Sequence, residues 1–542
     1  MIEGVIAVKL RATRHMAATM AIRPVLVAVL CVAALFAASP APADTAAADK
    51  EIIHILNRLG YGPTPEAIAH VRAIGIDRYI DEQLHPEAIP EPAALTERLD
   101  GLETRKLGAA RLFIEYGPLL PALNGGAKPT PEEAKARRQR AQIIVQQAQA
   151  ARVWRALYSP RQLQEVMVDF WYNHFNVFAQ KGLDHLWVGK FEDEAIRPFA
   201  LGRFRDLLVA TAHHPAMLFY LDNQLNTAPG SPGAGGQQIG INENYARELM
   251  ELHTLGVNGG YTQDDVIALA HILTGWGLDR RGLRFGSGSG QAFDPSRHDF
   301  SDQVLLGRRI PAGGEEQGMA ALDMLARSPA TAHHIAFQLA QYFVADQPPP
   351  ALVDRLTERF QATDGDIAQV LKALLTSREF RDSAGVKYKT PYQYVLSAAR
   401  VAGVEVNNPR PMLVTMARLG MGLYQCLTPD GYKNTEDAWL SPDATTLRIG
   451  FATGLARGAL PLQRQPPSIE EQLAAANAMA QPQPIVASAA AEPEPTGAPL
   501  AAATLEELLA PILGDHTRAA IADAPAALQA ALVIGSPDFM RR

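Results

Sequence analysis

Cysteine is nearly absent: the 542 residues contain 2, Cys31 and Cys426. Cys31 falls in an apolar stretch near the start, so the folded part has one thiol, no intramolecular disulfide and no multi-cysteine metal site. Stability must come from packing, and at 47% hydrophobic residues the chain has the composition for a sizeable core. Clustered positive charge is also missing. With 50 Lys and Arg against 57 Asp and Glu, the formal charge is −7 and no basic block occurs, which excludes nucleic acid as a natural partner. No Gly-x-Ser-x-Gly elbow, phosphate-binding loop, calcium loop or His-Glu-x-x-His helix is present. Alternating strand patterns are scarce, so any sheet is small.

The longest uninterrupted apolar run, residues 25–38, is 14 residues, shorter than a comfortable membrane span and suited to the core of an export signal. It follows Arg23 and leads to Ala41-Pro42-Ala43, a small-x-small cleavage pattern before Asp44. Residues 1–43 therefore read as a signal peptide, with an uncleaved anchor as the alternative. The basic stretch upstream of Met16 is long for such a signal and points to a start at Met16 or Met20. No adjacent arginine pair precedes the run, which fits the general export route. Removing Lys9, Arg11, Arg14 and Arg23 together with Glu3 leaves the mature chain more acidic. The expected location is the periplasm or the medium, with no stable membrane span after cleavage.

What is present in abundance is helix punctuation. Thr130-Pro131-Glu132-Glu133 supplies a cap, a first-turn proline and an acidic third residue before a helix to about Tyr158. Ser159-Pro160-Arg161-Gln162 opens another through roughly Phe178, and Thr262-Gln263-Asp264-Asp265 and Ser328-Pro329 start two more. Helical patterns also cover about 316–327, 350–361, 366–377, 389–403 and 441–457. The fold class is all-α: a large multi-helix domain with long Gly-rich loops and little sheet. Its main helical part spans 44–464. An Ala/Pro/Gln-rich insertion over 465–503 is expected to be disordered, and helices over 504–542 to pack back on the main domain. Two further segments, 224–240 and 282–302, read as glycine-rich loops.

Two helices concentrate the chemistry-bearing residues. In Asp169-Phe170-Trp171-Tyr172-Asn173-His174-Phe175-Asn176, a helical wheel puts Asp169, Tyr172, Asn173 and Asn176 on one polar arc, with His174 amid the apolar one. In the segment from Asn242 to His253, Glu243, Arg247 and Glu251 align at i, i+4 and i+8, with Asn244 and Glu248 beside them. Tyr245 and His253 fall on its apolar side. Two readings stand. In the plainer one the second helix carries a solvated Glu–Arg–Glu ladder worth ~0.2–0.5 kcal/mol per pair, and the histidines are core residues. In the other, both polar arcs face one cleft. Asp169 with Glu243 or Glu248 would then supply acid and base, and Arg247 an electrostatic clamp. Asn173, Asn176, Asn242, Asn244 and Glu251, with Trp171, Tyr172 and Tyr245, would bind a polyhydroxylated ligand such as a glycan. His298-Asp299 is a further candidate pair for binding or acid–base work. No cofactor is required by the sequence, and a metal would look first to His174 and His253. The adjacent pairs His213-His214 and His333-His334 diverge on a helix and do not share a ligand.

At these helices the chain resembles the domain-of-unknown-function family 1800, a set of exported bacterial proteins. The likeness rests on Asn57-Arg58-Leu59-Gly60-Tyr61-Gly62-Pro63, on 169–176, on Ile196-Arg197-Pro198, His214-Pro215-Ala216-Met217-Leu218 and 242–256. It continues through Leu273-Thr274-Gly275-Trp276, His298-Asp299, Lys387-Tyr388-Lys389-Thr390-Pro391 and Gly431-Tyr432, nearly the whole mature chain. The resemblance implies export and a largely helical fold. It also implies a sulfatase-like exported partner, since members are often encoded beside such proteins, but it implies no reaction. The chain departs by its 465–503 insertion and by Gln425-Cys426-Leu427-Thr428-Pro429-Asp430, so the stretch before Gly431 is not counted among the site residues. The leading functional expectation is an extracytoplasmic hydrolase or other carbohydrate-active enzyme working by carboxylate acid/base chemistry. The alternatives are a non-catalytic binding or assembly factor working with that partner and, less strongly, a metal-dependent enzyme.

Overall fold

A computed structural model describes residues 42–119, 128–232, 240–465, 471 and 497–542. Almost all of the expected signal peptide, most of the 465–503 insertion and part of the 224–240 loop lie outside the described residues. Residues from Asp49 to Arg542 form one compact unit. Among the described residues it is all-α, with two two-stranded antiparallel sheets as its only sheet structure. No described helix is long and apolar enough to cross a membrane.

Four helices build and support the site. They are α1 (Pro131–Tyr158), α2 (Gln162–His174), α3 (Asn244–Glu251) and α4 (Pro329–Phe343). Helix α1 starts where its capping box directs: Thr130 accepts from the Glu133 N–H, and the Glu133 carboxylate accepts from the Thr130 N–H. Ser328 caps α4 in the same spirit. Helix α2 is shorter than its pattern predicts. It ends at His174 because Phe175 leaves helical geometry, so Asn176 lies beyond it. Similarly α3 stops at Glu251, leaving His253 in the following turn.

The 282–302 segment, read from the sequence as a glycine-rich loop, carries regular structure. Residues Gln291–Phe293 pair with Trp276–Leu278, and glycines 286, 288 and 290 take the left-handed backbone that the approach to this ribbon requires. Next to it, Gln303–Leu305 and Arg308–Ile310 form a hairpin. Its two turn residues, Leu306 and Gly307, both have positive φ, the signature of a tight turn matched to strand twist. Helix Ala526–Ile534 lies against Pro442–Ala456, and the Tyr394 hydroxyl donates toward Arg448 O and Ile534 O, joining the two.

A buried ionic network holds α1 against α2. Arg152 Nη2 donates to Asp169 Oδ1 at 2.6 Å, and its Nη1 lies 3.3 Å from Glu192. Arg197 grips Glu165 with two hydrogen bonds of 2.6 and 3.0 Å and also reaches Glu192. Glu192 and Asp193 are presented by one turn of π-helix, Phe191–Ile196. The rings of Tyr172, Tyr392 and Tyr424 surround the Arg152 guanidinium at 5.1 to 5.5 Å. Burial alone would lower the Arg152 pKa, but Glu192, Tyr392, Asp169 and Tyr424 carry it well above its ordinary value.

Candidate functional site

Side chains from α2, α3 and α4 and the 429–434 segment enclose a cleft of about 490 Å³, within the size range of small-ligand sites. From α2 come Asn173 and His174; from α3, Glu248 and Glu251; from α4, His334, Gln338 and Gln341. The fourth wall is Pro429, Asp430, Tyr432, Lys433 and Asn434. That wall is pinned by Asn173, whose carboxamide donates to Tyr432 O at 2.8 Å and accepts from Tyr432 N at 2.7 Å. Asn176 extends the clamp by donating to Cys426 O and Thr428 O. Gly431 makes the approach possible, since its φ is +71° and a Cβ there would sit 2.2 Å from Asn173 O.

The carboxylates in this cleft differ in environment. Glu248 is held above the usual carboxyl range by burial, then by the neighbouring charge of Glu251, with Asp430 adding to the effect. Asp430 goes the other way. Burial would raise it, but Lys433 at 2.7 Å and the Thr428 hydroxyl at 2.6 Å more than offset this and hold it low. Glu251 accepts from the Tyr261 hydroxyl at 3.3 Å.

His174 and His334 form the floor, with the His253 ring packed against His174. The rings of His174, His253 and His334 pack together, with centroids 6.0 and 6.3 Å from His174. Burial, then the neighbouring His334, lowers His174 to about 3, so it is neutral. Its Nε2 lies 3.1 Å from His253 O and must carry the proton, which leaves Nδ1 as an acceptor. Gln338 Oε1, 2.8 Å from that Nδ1, would then oppose acceptor to acceptor. Turning the Gln338 carboxamide by 180° resolves this: its NH2 donates to His174, and its oxygen accepts from His334 Nε2, which lies 3.1 Å away and also faces Leu252 O. His174, Gln338 and His334 thus form a hydrogen-bonded support, anchored to the backbone oxygens of His253 and Leu252. No group of three or more His, Cys, Asp or Glu side chains among the described residues is arranged to hold a metal.

The two polar arcs therefore meet, but through other residues than the expected acid–base set. Asp169 does not line the cleft. It is buried against Arg152, with the Tyr342 hydroxyl 3.5 Å from its other oxygen, and belongs to the scaffold. Glu243 and Arg247 form the exposed ladder instead: they pair at 3.0 Å, both bond Gln263, and each side chain is more than a third exposed or close to it. The aromatic residues Trp171, Tyr172 and Tyr245 are core, not binding surface. Trp171 donates to Ala200 O and Tyr172 to Val177 O, and none of the three exceeds 3% exposure. Asn242 and Asn244 shape the start of α3, the Asn244 N–H donating to Asn242 Oδ1 and its side chain to Leu221 O. His298 is wedged between Thr274 O and Gly313 O, while Asp299 pairs with His271 at 2.6 Å, so the two do not act on each other. His253 is buried with its Nε2 unpartnered.

Sequence reasoning found the start of α4 at Ser328-Pro329 but missed that this helix and the 429–434 segment line the site. Asp430, set aside because its segment departs from the family pattern, is one of the cleft's two environmentally tuned carboxylates. His333 and His334 do diverge: the first is exposed and the second faces the cleft. The residues that could have pointed here are Asp430 and Lys433, a charged i, i+3 pair flanking the Gly431 turn.

A helical protein with a carboxylate-rich cleft over a histidine floor is what fold and site define. The match to known families is to proteins of unknown function, DUF1800, over residues 54–541, and the chain belongs to that family. No curated protein and no solved structure matches it.

Proposed function

We propose that the chain is an exported hydrolase acting on a glycan or envelope polymer, with Glu248 as general acid and Asp430 as the carboxylate partner. The observation that carries this reading is the placement of these two groups in one cleft with their proton affinities driven apart, the arrangement acid–base hydrolysis needs. Glu248, protonated to higher pH than an ordinary glutamate, donates to the leaving oxygen. Asp430, kept ionised by Lys433 and Thr428, activates water or attacks the opposite side. Gln341, Asn434 and Glu251 supply polar groups for a hydroxyl-rich ligand. Export is supported by the basic–apolar–small pattern of residues 1–43.

The test is release of reducing ends from a panel of cell-wall and environmental polysaccharides. Glu248→Gln and Asp430→Asn are each expected to lower turnover by ~100-fold or more, in line with loss of an acid–base group, with melting temperature unchanged. Wild-type turnover in either variant, or no release by the wild type across the panel, sinks the reading.

A further inference from the structure

Away from the cleft, a small cavity of about 170 Å³ opens between helix Pro42–Arg58 and the C-terminal segment. Its polar lining is Lys50, His54, Asn57, Asp538, Arg541 and Arg542. The volume far exceeds the ~10–15 Å³ that admits one water, yet falls short of the ~300 Å³ at which drug-sized ligand pockets begin. Behind it the protein buries two guanidinium groups that carboxylates balance only through space, Asp346 for Arg58 and Asp169 for Arg542. Arg58 is fully buried, and its Nη atoms donate only to the carbonyls of Phe343 and Ser383 and weakly to the Ser383 hydroxyl. Arg542 is 4% exposed and donates to Tyr342 O. Neither has an Asp or Glu ion-pair partner among the described residues, whereas nearby Lys387 has Asp346 and Arg541 has Glu436. Buried guanidinium charge without a contacting carboxylate is costly, and a bound anion would relieve it.

The unpartnered atoms specify more than negative charge. Arg542 Nε is a donor without an acceptor. His54 is the reverse: its Nε2 faces Phe380 O at 2.9 Å and so holds the proton of a ring that burial and Arg58 keep neutral, with a pKa lowered to about 4. That leaves Nδ1 as a buried acceptor with no donor, and Asn57 Oδ1 is a second one. Asp538, the one Asp or Glu side chain among the described residues of the lining, uses one oxygen to accept from Gly514 N at 2.8 Å and keeps lone pairs free. A plain anion would answer the arginines but meet these acceptors with like polarity.

We propose that this cavity binds a hydrogen-phosphate group, an oxyanion that brings both negative charge for Lys50, Arg541 and Arg542 and an O–H for His54, Asn57 or Asp538. Sulfate has the same shape and charge but no proton at neutral pH, so Asp538 and His54 reject it. The cavity size favours free phosphate over the end of a larger phosphomonoester.

Calorimetric titration of the full chain at constant ionic strength tests this with inorganic phosphate, glycerol phosphate, sulfate and acetate. The expected result is one phosphate per chain, with sulfate weaker by ~10-fold or more because unpaired buried acceptors penalise it. Arg542→Gln should weaken phosphate by ~10-fold or more, and Lys50→Met, at the exposed rim where folding is not at stake, by several-fold. Asp538→Asn should narrow the gap by letting sulfate bind better. Tighter binding of glycerol phosphate than of phosphate would reassign the site to an esterified ligand and overturn the free-ion assignment. No saturable phosphate binding, equal phosphate and sulfate affinity in the wild type, or phosphate binding unchanged by Lys50→Met and Asp538→Asn would overturn the proposal itself.

Discussion

Replacing His214 by Asn should flatten the acid limb of stability without removing the helix cap that His214 provides. His214 precedes Pro215 and caps helix Pro215–Tyr220, its Nδ1 accepting from the Ala216 N–H at 3.2 Å. Only the neutral ring with Nδ1 unprotonated can do this. Burial, then the charge of Lys190, lowers its pKa to about 3, against ~6.5 in an unfolded chain. A group depressed in the folded state contributes its stability above the unfolded pKa and loses it as pH falls toward the folded value. From about pH 7.5 to about pH 5 the loss covers roughly 1.5 pH units, or ~2 kcal/mol. With an unfolding entropy of ~2.1 cal/mol/K per residue, a cooperative unit from Asp49 to Arg542 has roughly 1 kcal/mol/K, so this is ~2 °C. Asn caps as well as His and does not titrate. Its smaller side chain costs a constant offset that cancels in the pH comparison. Melting curves of both proteins across that range should therefore converge on acidification, the wild type falling ~2 °C further than the variant. Parallel curves would mean that His214 does not hold its proton-free form in the fold, and the cap argument would fail.

Three further outcomes are expected. Asp169→Asn weakens a buried pair and leaves Arg152 under-compensated, a change that costs ~3–5 kcal/mol and should lower the melting temperature by ~3–5 °C on the same entropy; an unchanged melting temperature with lost turnover would return Asp169 to the catalytic set. The rate profile should be bell-shaped: activity falls on the alkaline side as Glu248 loses its proton, above the ordinary glutamate value, and on the acid side as Asp430 gains one, below the ordinary aspartate value. Lys433→Met should move the acid limb upward by freeing Asp430 from its cation, and an unmoved limb would remove Asp430 from the role of base. Gly431→Ala places a Cβ against Asn173 O and should displace the 429–434 wall, lowering kcat/KM far more than stability; normal kinetics would show that the wall is not needed.

The helices were legible because their information is local. Thr130, Thr262 and Ser328 each stand where a cap is required, and each caps in the structure; Ser159 does not, because its hydroxyl accepts from the Arg161 N–H and α2 begins only at Gln162. Ser377–Phe380 and Ser536–Phe539 show the same local bonding: in each the serine hydroxyl accepts from the N–H of the phenylalanine three residues on. The site was only half legible because a helical wheel records which residues share a face and is silent on what that face meets. Asp169 and Asn173 fall on one arc of α2, yet four positions along the axis separate Arg152 from the 429–434 wall as their neighbour. Glu243 and Glu251 likewise share one stripe of α3, and two turns of helix carry it from a half-exposed contact with Gln263 to the cleft. Charge pattern alone cannot divide such a stripe. The division is made by long-range partners, Arg152 and Tyr432, that lie outside the arcs in sequence and appear only when α1 and the 429–434 segment close on them. For the same reason Asp430 escaped notice. Its chemistry comes from Lys433 and Thr428 within its own turn, but its relevance comes from Asn173, 257 positions earlier in the numbering, holding that turn against α3.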